Sequence, residues 1–290
     1  MRCNCPAWER SFVLKSRYKG KIISLKTLFF HALILALLLA GCAPQTAVPA
    51  EPVELNVFAA ASLTAAFGEI GNQFEAAHPG ATVMFNFASS QQLAQQINEG
   101  APADVFASAN KKQMDAVIEV RGIISGTQQT FAKNRLVVIY PQDNPASLKE
   151  LKDLSIPGLK LVFAAKEVPV GGYSLDFLDK ASADSAFGTT FKEDVLANVV
   201  SYEENVKAVL AKVALGEADA GIVYTSDVAG EDADKVGRLV IPDALNVIAS
   251  YPIAPIMDSK NPELAQVFID LVLSQDGQDI LAKYGFILVK

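Results

Sequence analysis

Two short apolar runs in this chain break into hydroxyl residues just where a helical pattern begins: Phe58-Ala-Ala-Ala-Ser62-Leu-Thr64 and Phe87-Ala-Ser-Ser90-Gln-Gln-Leu93. Such a corner sets a serine side chain beside the unpaired N–H groups of a helix N-terminus, where an anion is most easily held. Ser62 and Ser90 are therefore candidate anion donors. They suit helix capping equally well, at about 1 kcal/mol each, and the two roles are compatible. Ser89, next to Ser90, points elsewhere if Ser90 points inward. Two such corners in one chain suggest an oxyanion receptor.

Other chemistries find little support. A Ser-His-Asp arrangement needs histidine as its base, and the two histidines are His31 and His78. His31 falls in a leader-like segment, and His78 falls in a helix-ending His-Pro-Gly turn. The chain has no Gly-x-Ser-x-Gly elbow, no phosphate-binding Gly-x-x-x-x-Gly-Lys loop and no cluster of zinc-ligand spacing. Carboxylates are plentiful, but none stands out by position. We therefore expect no enzyme activity, no catalytic residue, no cofactor and no metal held directly by side chains.

The N-terminal residues read as a leader. Basic residues from Arg10 to Lys26 precede the apolar run Leu28 to Ala40, which is too short for a membrane span. The run ends in Leu39-Ala40-Gly41-Cys42, which resembles a bacterial lipobox. This predicts a signal peptide over 1–42, acylation of Cys42 and a lipid anchor as the only membrane attachment. The cysteines are Cys3, Cys5 and Cys42, so processing leaves no disulfide framework. The remaining 248 residues hold 18 Lys/Arg against 31 Asp/Glu, a net charge of −13. An acidic body argues against nucleic acid as a partner. It also means that a bound anion depends on local donors, because the overall field repels it.

The donors are positioned by an α/β alternation. The Pro- and Ala-rich stretch 43–54 reads as a tether. Strands are expected over Leu55–Ala59, Thr82–Phe87 and Asp104–Ser108. Between and after them, helices carry Leu63, Phe67, Ile70 and Phe74, then Leu93 and Ile97, then Met114, Val117 and Ile118. A strand follows at Leu136–Tyr140. A second α/β series then begins at Leu161 and contains Gly171-Gly172, a helix from Glu203 and the strand Gly221–Tyr224. Strands at Arg238–Ile241 and Tyr251–Pro255 precede a helical end. Two series of this size suggest two lobes, each a mostly parallel sheet flanked by helices, with a ligand cleft at the strands' carboxyl ends. The lobes are taken as 55–136 with 246–290, and 137–245.

Six segments together carry a resemblance: Phe58-Ala-Ala-Ala-Ser62-Leu-Thr64, Phe87-Ala-Ser-Ser90, Gly100-Ala-Pro-Ala-Asp-Val-Phe106, Val168-Pro-Val-Gly-Gly-Tyr173, Gly221-Ile-Val-Tyr224-Thr-Ser-Asp227 and Tyr284-Gly-Phe286. In this order they resemble the periplasmic molybdate-binding proteins, the solute receptors of molybdate ABC importers. The resemblance covers the chain from residue 55 to 288. It implies the two-lobed type II periplasmic-binding-protein fold and an extracytoplasmic, monomeric receptor. The implied ligand is molybdate or tungstate, and the implied partners are the permease subunits. It also implies the contacts: Ser62 and Ser90 through hydroxyl and N–H, Val170 and Val206 through backbone N–H, and Tyr224 through its hydroxyl. Many members carry Ala where Val170 stands, and an N–H contact tolerates the larger side chain. Read without the resemblance, Val206 belongs to an apolar helix stripe, Tyr224 to a packed strand end and Gly171-Gly172 to a turn.

This constellation has a simple chemistry. Every member is a neutral donor, so a dianion without a proton can be satisfied completely, each charge-assisted bond contributing about 1.5–3 kcal/mol. Hydrogenphosphate carries an O–H that finds no acceptor. Sulfate has the right charge but is smaller than molybdate, whereas tungstate is nearly the same size. The alternatives kept open are a receptor for another tetrahedral oxyanion such as sulfate, and a lipoprotein sensor of an oxyanion.

Overall fold

The computed structural model describes residues 53–289 apart from 122, 124–125 and 230–233. The expected leader, the lipidated Cys42 and the tether up to residue 52 lie outside the described residues. The first strand starts at Val53, two residues before the expected start, because Val53 and Glu54 already pair with Ala81 and Thr82.

The first sheet is built from β1 (Val53–Ala60), β2 (Ala81–Ala88), β3 (Val105–Ala107), β4 (Gln129–Asn134), β10 (Ala249–Pro255) and β11 (Ile287–Leu288), in the order β11-β4-β10-β3-β1-β2. Its helices are α1 (Thr64–Ala77), α2 (Ser90–Asn98), α3 (Lys111–Arg121), α7 (Pro262–Leu273) and α8 (Gln275–Lys283). The second sheet holds β5 (Leu136–Pro141), β6 (Leu161–Ala164), β7 (Val199–Glu203), β8 (Ala220–Tyr224) and β9 (Val236–Val240), in the order β7-β6-β8-β5-β9. With it go α4 (Pro169–Ala183), α5 (Phe191–Ala197) and α6 (Val206–Ala214). No helix among the described residues is long and apolar enough to cross a membrane.

Both sheets are mixed. The pairs β1–β2, β1–β3, β6–β7 and β6–β8 are parallel, and the remaining pairs are antiparallel. The parallel strands follow one another through helical crossovers, as parallel pairing requires. The chain passes from the first sheet to the second across a single residue, Arg135, and such a direct entry sets β5 antiparallel to its neighbours.

Strand alternation divides the core. Leu55, Val57 and Ala59 of β1 face a large cluster that includes Phe67, Phe74 and Phe268. Phe58 faces the other side, with Leu93 and Ile97 of α2 and Met114 and Val117 of α3. β3 does the same, with Val105 and Ala107 on one side and Phe106 on the other. Burial on both faces explains why β1 and β3 read as continuous apolar runs.

Several elements escape a reading by apolar pattern. β7 is an edge strand that leaves Val200 and Tyr202 exposed, and it ends on Glu203, the first residue assigned to a helix. That helix, α6, starts at Val206 with Asn205 as its cap. β4 is polar and is covered on its edge by β11. Gly171 and Gly172 lie in the first turn of α4 rather than in a loop turn.

Candidate functional site

Ser62 and Ser90 both follow parallel strands, but neither caps a helix. Ser62 lies in the short 3₁₀ turn Ala61–Leu63 that leads from β1 into α1. Its Oγ is 2.9 Å from the hydroxyl of Tyr251 on β10. The cap of α2 is Ser89, whose N–H and Oγ both donate to Gln92 Oε1, at 3.3 and 2.6 Å. Ser90 is thereby placed at the first helical position. Its Oγ accepts from the backbone N–H of Ala109 at 2.9 Å. A backbone N–H can only donate, so one lone pair of Ser90 is occupied and its hydroxyl hydrogen is left for another acceptor.

Val170, Val206 and Tyr224 come from the second sheet's elements. Val168 caps α4 and Pro169 takes the first position, where its missing N–H costs nothing. The first intrahelical bond runs from Gly172 N–H to the Val168 carbonyl at 3.0 Å. The N–H of Val170 precedes it and has no helical acceptor. Gly171 fixes where that N–H sits, since a Cβ there would lie 2.0 Å from the Ala165 carbonyl oxygen and 2.5 Å from that of Ala164. Only glycine lets the first turn of α4 rest on the end of β6. At α6 the Asn205 side chain accepts from Ala208 N–H at 3.0 Å, and the N–H of Val206, in the first turn, has no helical acceptor while its side chain joins the buried stripe with Val209, Leu210 and Val213. Tyr224 ends β8, and its own N–H donates to Asp227 at 3.0 Å. Its hydroxyl is buried and makes no well-formed hydrogen bond among the described residues, although the Tyr251 hydroxyl lies close enough to act on it.

All five predicted residues line one cavity, together with Ala60, Ala61, Ser89, Ala109, Val168 and Pro169. Its volume is about 20 Å³, far too little for an organic substrate. Larger cavities of about 380 Å³ beside Tyr202 and 560 Å³ beside Asp104 contain none of the five. No charged side chain lines the small cavity. Lys207, next to Val206, is turned to the buried Asp227 at 3.5 Å. The tyrosines are locked in their neutral form. Burial raises the Tyr224 hydroxyl well above its usual pKa, with Tyr251, Tyr173 and Asp227 adding to the effect. Burial, helped by Asp227, likewise raises Tyr251, and burial with Asp176 pushes Tyr173 up to about 12.

The chain matches the family described as bacterial extracellular solute-binding protein over residues 55–287. It belongs to that family. Membership makes this a solute-binding chain with a place outside the cytoplasm. The molybdate-binding protein ModA of Mycobacterium tuberculosis H37Rv is 39% identical over 269 residues, which span 91% of this chain and 98% of that protein. Two solved structures share the fold. The periplasmic molybdate-binding protein of Azotobacter vinelandii has a TM-score of 0.70 at 20% identity, over 81% of this chain and 100% of that one. The sulfate-binding protein SubI of M. tuberculosis H37Rv has a TM-score of 0.72 at 17% identity, over 82% and 88%. The fold thus carries more than one oxyanion receptor, and the cavity's lining has to decide the cargo.

Several residues of this solute-binding chain that shape the cavity were not singled out in the sequence. Gly171 was visible only as part of a glycine pair, although its close approach to β6 is what seats Val170. Ala109 contributes through its backbone alone, which leaves no trace in residue type. Asn205 carried a usable signal, as an Asn immediately before an apolar helical stripe.

Proposed function

We propose that this chain is an extracytoplasmic receptor that binds molybdate, and tungstate with it, and hands it to the permease of an ABC importer. The observation that carries the reading is the lining of the small cavity: hydroxyls and helix-start amides, with no cation and no carboxylate. Such a lining suits a fully deprotonated dianion, because every bond it offers is a donor. The ion's size then separates molybdate and tungstate from sulfate. The 39% identity to a molybdate-binding protein supports the same choice.

In this reading Ser62, Ser90, Val170, Val206 and Tyr224 hold the ion. The first sheet's elements (55–136 and 246–290) and the second's (137–245) act as two lobes. Donors from both are needed, so the ion shifts an open–closed equilibrium toward the closed form. The permease takes its cargo from that form, and nothing is done chemically to the ion. The receptor works as a monomer held at the membrane by lipid on Cys42.

Calorimetric titration of the purified protein tests this, since the one Trp of the chain, Trp8, falls within the expected signal peptide 1–42. Molybdate, tungstate, sulfate and phosphate are titrated separately at neutral pH. One-to-one binding of the first two, with the others at least about a hundredfold weaker, is expected from two or more misplaced donor bonds. Tight sulfate binding would assign the fold correctly and the cargo wrongly.

A further inference from the structure

The hydroxyl of Ser62 belongs to a buried chain of hydrogen bonds whose direction can be worked out. The chain starts at Asn134, the last residue of β4, beside the crossing between the two sheets. Asn134 Oδ1 accepts from the backbone N–H of Arg135 at 2.9 Å and from Thr225 Oγ1 at 2.9 Å. A backbone N–H has nothing to accept with, so that atom must be the amide oxygen and the other must be the nitrogen. Asn134 Nδ2 therefore donates, to Ser226 Oγ at 2.7 Å and to the Tyr251 oxygen at 3.3 Å. Tyr251 makes one other hydrogen bond among the described residues, to Ser62 Oγ at 2.9 Å. Its oxygen accepts from Asn134, and the arrangement that also gives its own hydrogen an acceptor sends that hydrogen to Ser62. Ser62 Oγ accepts in turn, and its own hydrogen is left for the cavity that it lines. Ser62, Asn134, Tyr251 and Ser226 are all buried, so water does not compete for these bonds.

We infer that Asn134 and Tyr251 are positioning residues of the anion site, orienting the Ser62 hydroxyl so that it presents a hydrogen, and not a lone pair, to the bound oxyanion. The inference rests on the oxyanion reading above and adds a cause for its selectivity. A serine free to rotate could turn a lone pair toward the O–H of hydrogenphosphate. A serine with one lone pair held by the Tyr251 hydrogen has a single lone pair left, and its own hydrogen, which finds no other acceptor among the described residues, goes to the ion. Ser90 reaches the same condition by a shorter route, through the N–H of Ala109.

The test is a calorimetric double-mutant cycle on the purified protein: wild type, Ser62→Ala, Tyr251→Phe and the double variant, each titrated with molybdate and, by competition, with phosphate. Tyr251→Phe keeps the ring that packs edge-on against Phe131, Tyr224 and Phe286. It is expected to weaken molybdate by about five- to twentyfold, less than the roughly ten- to hundredfold that losing a whole charge-assisted bond would cost. Phosphate is expected to weaken less or to strengthen, which narrows the ratio between the two ions. In the Ser62→Ala background, Tyr251→Phe should change molybdate affinity less than about twofold, since a positioning effect needs the residue it positions. Additive losses in the two backgrounds, or parallel losses for the two ions, would mean that Tyr251 is merely structural and would overturn the inference.

If Tyr251→Phe does not fold, Asn134→Asp replaces it in the cycle. A carboxylate there takes the tyrosine hydrogen and reverses the chain, while its charge repels the ion equally with or without Ser62 and cancels from the comparison. A wild type that binds molybdate, with additive variants, sinks this inference alone. A wild type that binds none of the oxyanions sinks the proposed function and this inference together.

Discussion

The two halves of the cavity present their donors differently. The first-sheet half uses side chains, and each serine is wired from behind by a fixed donor: Tyr251 behind Ser62 and Ala109 N–H behind Ser90. The second-sheet half uses the backbone at two helix starts, with one hydroxyl, Tyr224, that makes no well-formed hydrogen bond among the described residues. A wired serine costs less to keep in the empty protein, because one of its lone pairs is already paired. An unpartnered buried hydroxyl costs about 1–3 kcal/mol until an acceptor arrives. The first half is therefore built for direction and the second holds a stored preference for a ligand. Backbone donors also ignore side-chain identity, so the proposed contact at position 170 is compatible with Val.

The comparison can be broken most severely at Gly171. In Gly171→Ala the new Cβ meets carbonyl oxygens at 2.0 and 2.5 Å, so the first turn of α4 must lift away and carry the Val170 N–H with it. We expect molybdate affinity to fall on the order of a hundredfold as donor bonds are lost, and stability to fall by about 1–3 kcal/mol, read by calorimetry and denaturant titration. Tyr224→Phe sharpens the contrast because its two effects have opposite signs. Binding should weaken about ten- to a hundredfold, while stability in the absence of ligand should hold or rise by about 1 kcal/mol, since an unsatisfied group is removed.

Ser90→Ala should behave in the other manner. Binding weakens by about tenfold, and stability falls by about 1–3 kcal/mol because the Ala109 N–H loses its acceptor. Its neighbour separates capping from binding: Ser89→Ala removes the α2 cap, costing about 1 kcal/mol of stability and changing affinity less than about twofold. The smallest effect expected is that of alkaline pH. Tyrosine ionisation would turn a donor into an acceptor and add a negative charge. Because burial raises Tyr224, Tyr251 and Tyr173 above their usual value of 10.0, the donors survive and molybdate affinity should stay flat from about pH 7 to 10. A fall of tenfold by pH 10 would mean that one of these hydroxyls titrates normally.

What the sequence shows of this molecule follows from range. Ser62 and Ser90 were legible because a buried strand ending in a hydroxyl at a helix start is a local pattern. The strands buried on both faces, β1, β3, β5, β6 and β8, were legible for the same reason. β4 and β7 were not, since an edge position or a polar strand writes no apolar run. Ser90 looked like a cap because Ser89 and Ser90 are equivalent on paper. The reach of Gln92 back to Ser89 decides between them. The wiring behind Ser62 lay beyond any local reading. Tyr251 and Asn134 stand 189 and 72 residues away from it, and only the sheet order β4-β10-β3-β1 brings them together. A glycine's reason for being is equally invisible until the backbone that it touches is known, as at Gly171.

The central claim is that one deprotonated oxyanion sits in the small cavity, held by neutral donors from both sheets. Diffraction from crystals of the protein grown with molybdate, with data at the molybdenum absorption edge, tests it most directly. The expected result is a single anomalous peak in the cavity, with its oxygens about 2.7–3.2 Å from the hydroxyls of Ser62, Ser90 and Tyr224 and the N–H groups of Val170 and Val206. A peak elsewhere, or an ion in the cavity held by a lysine or arginine side chain, would contradict the account.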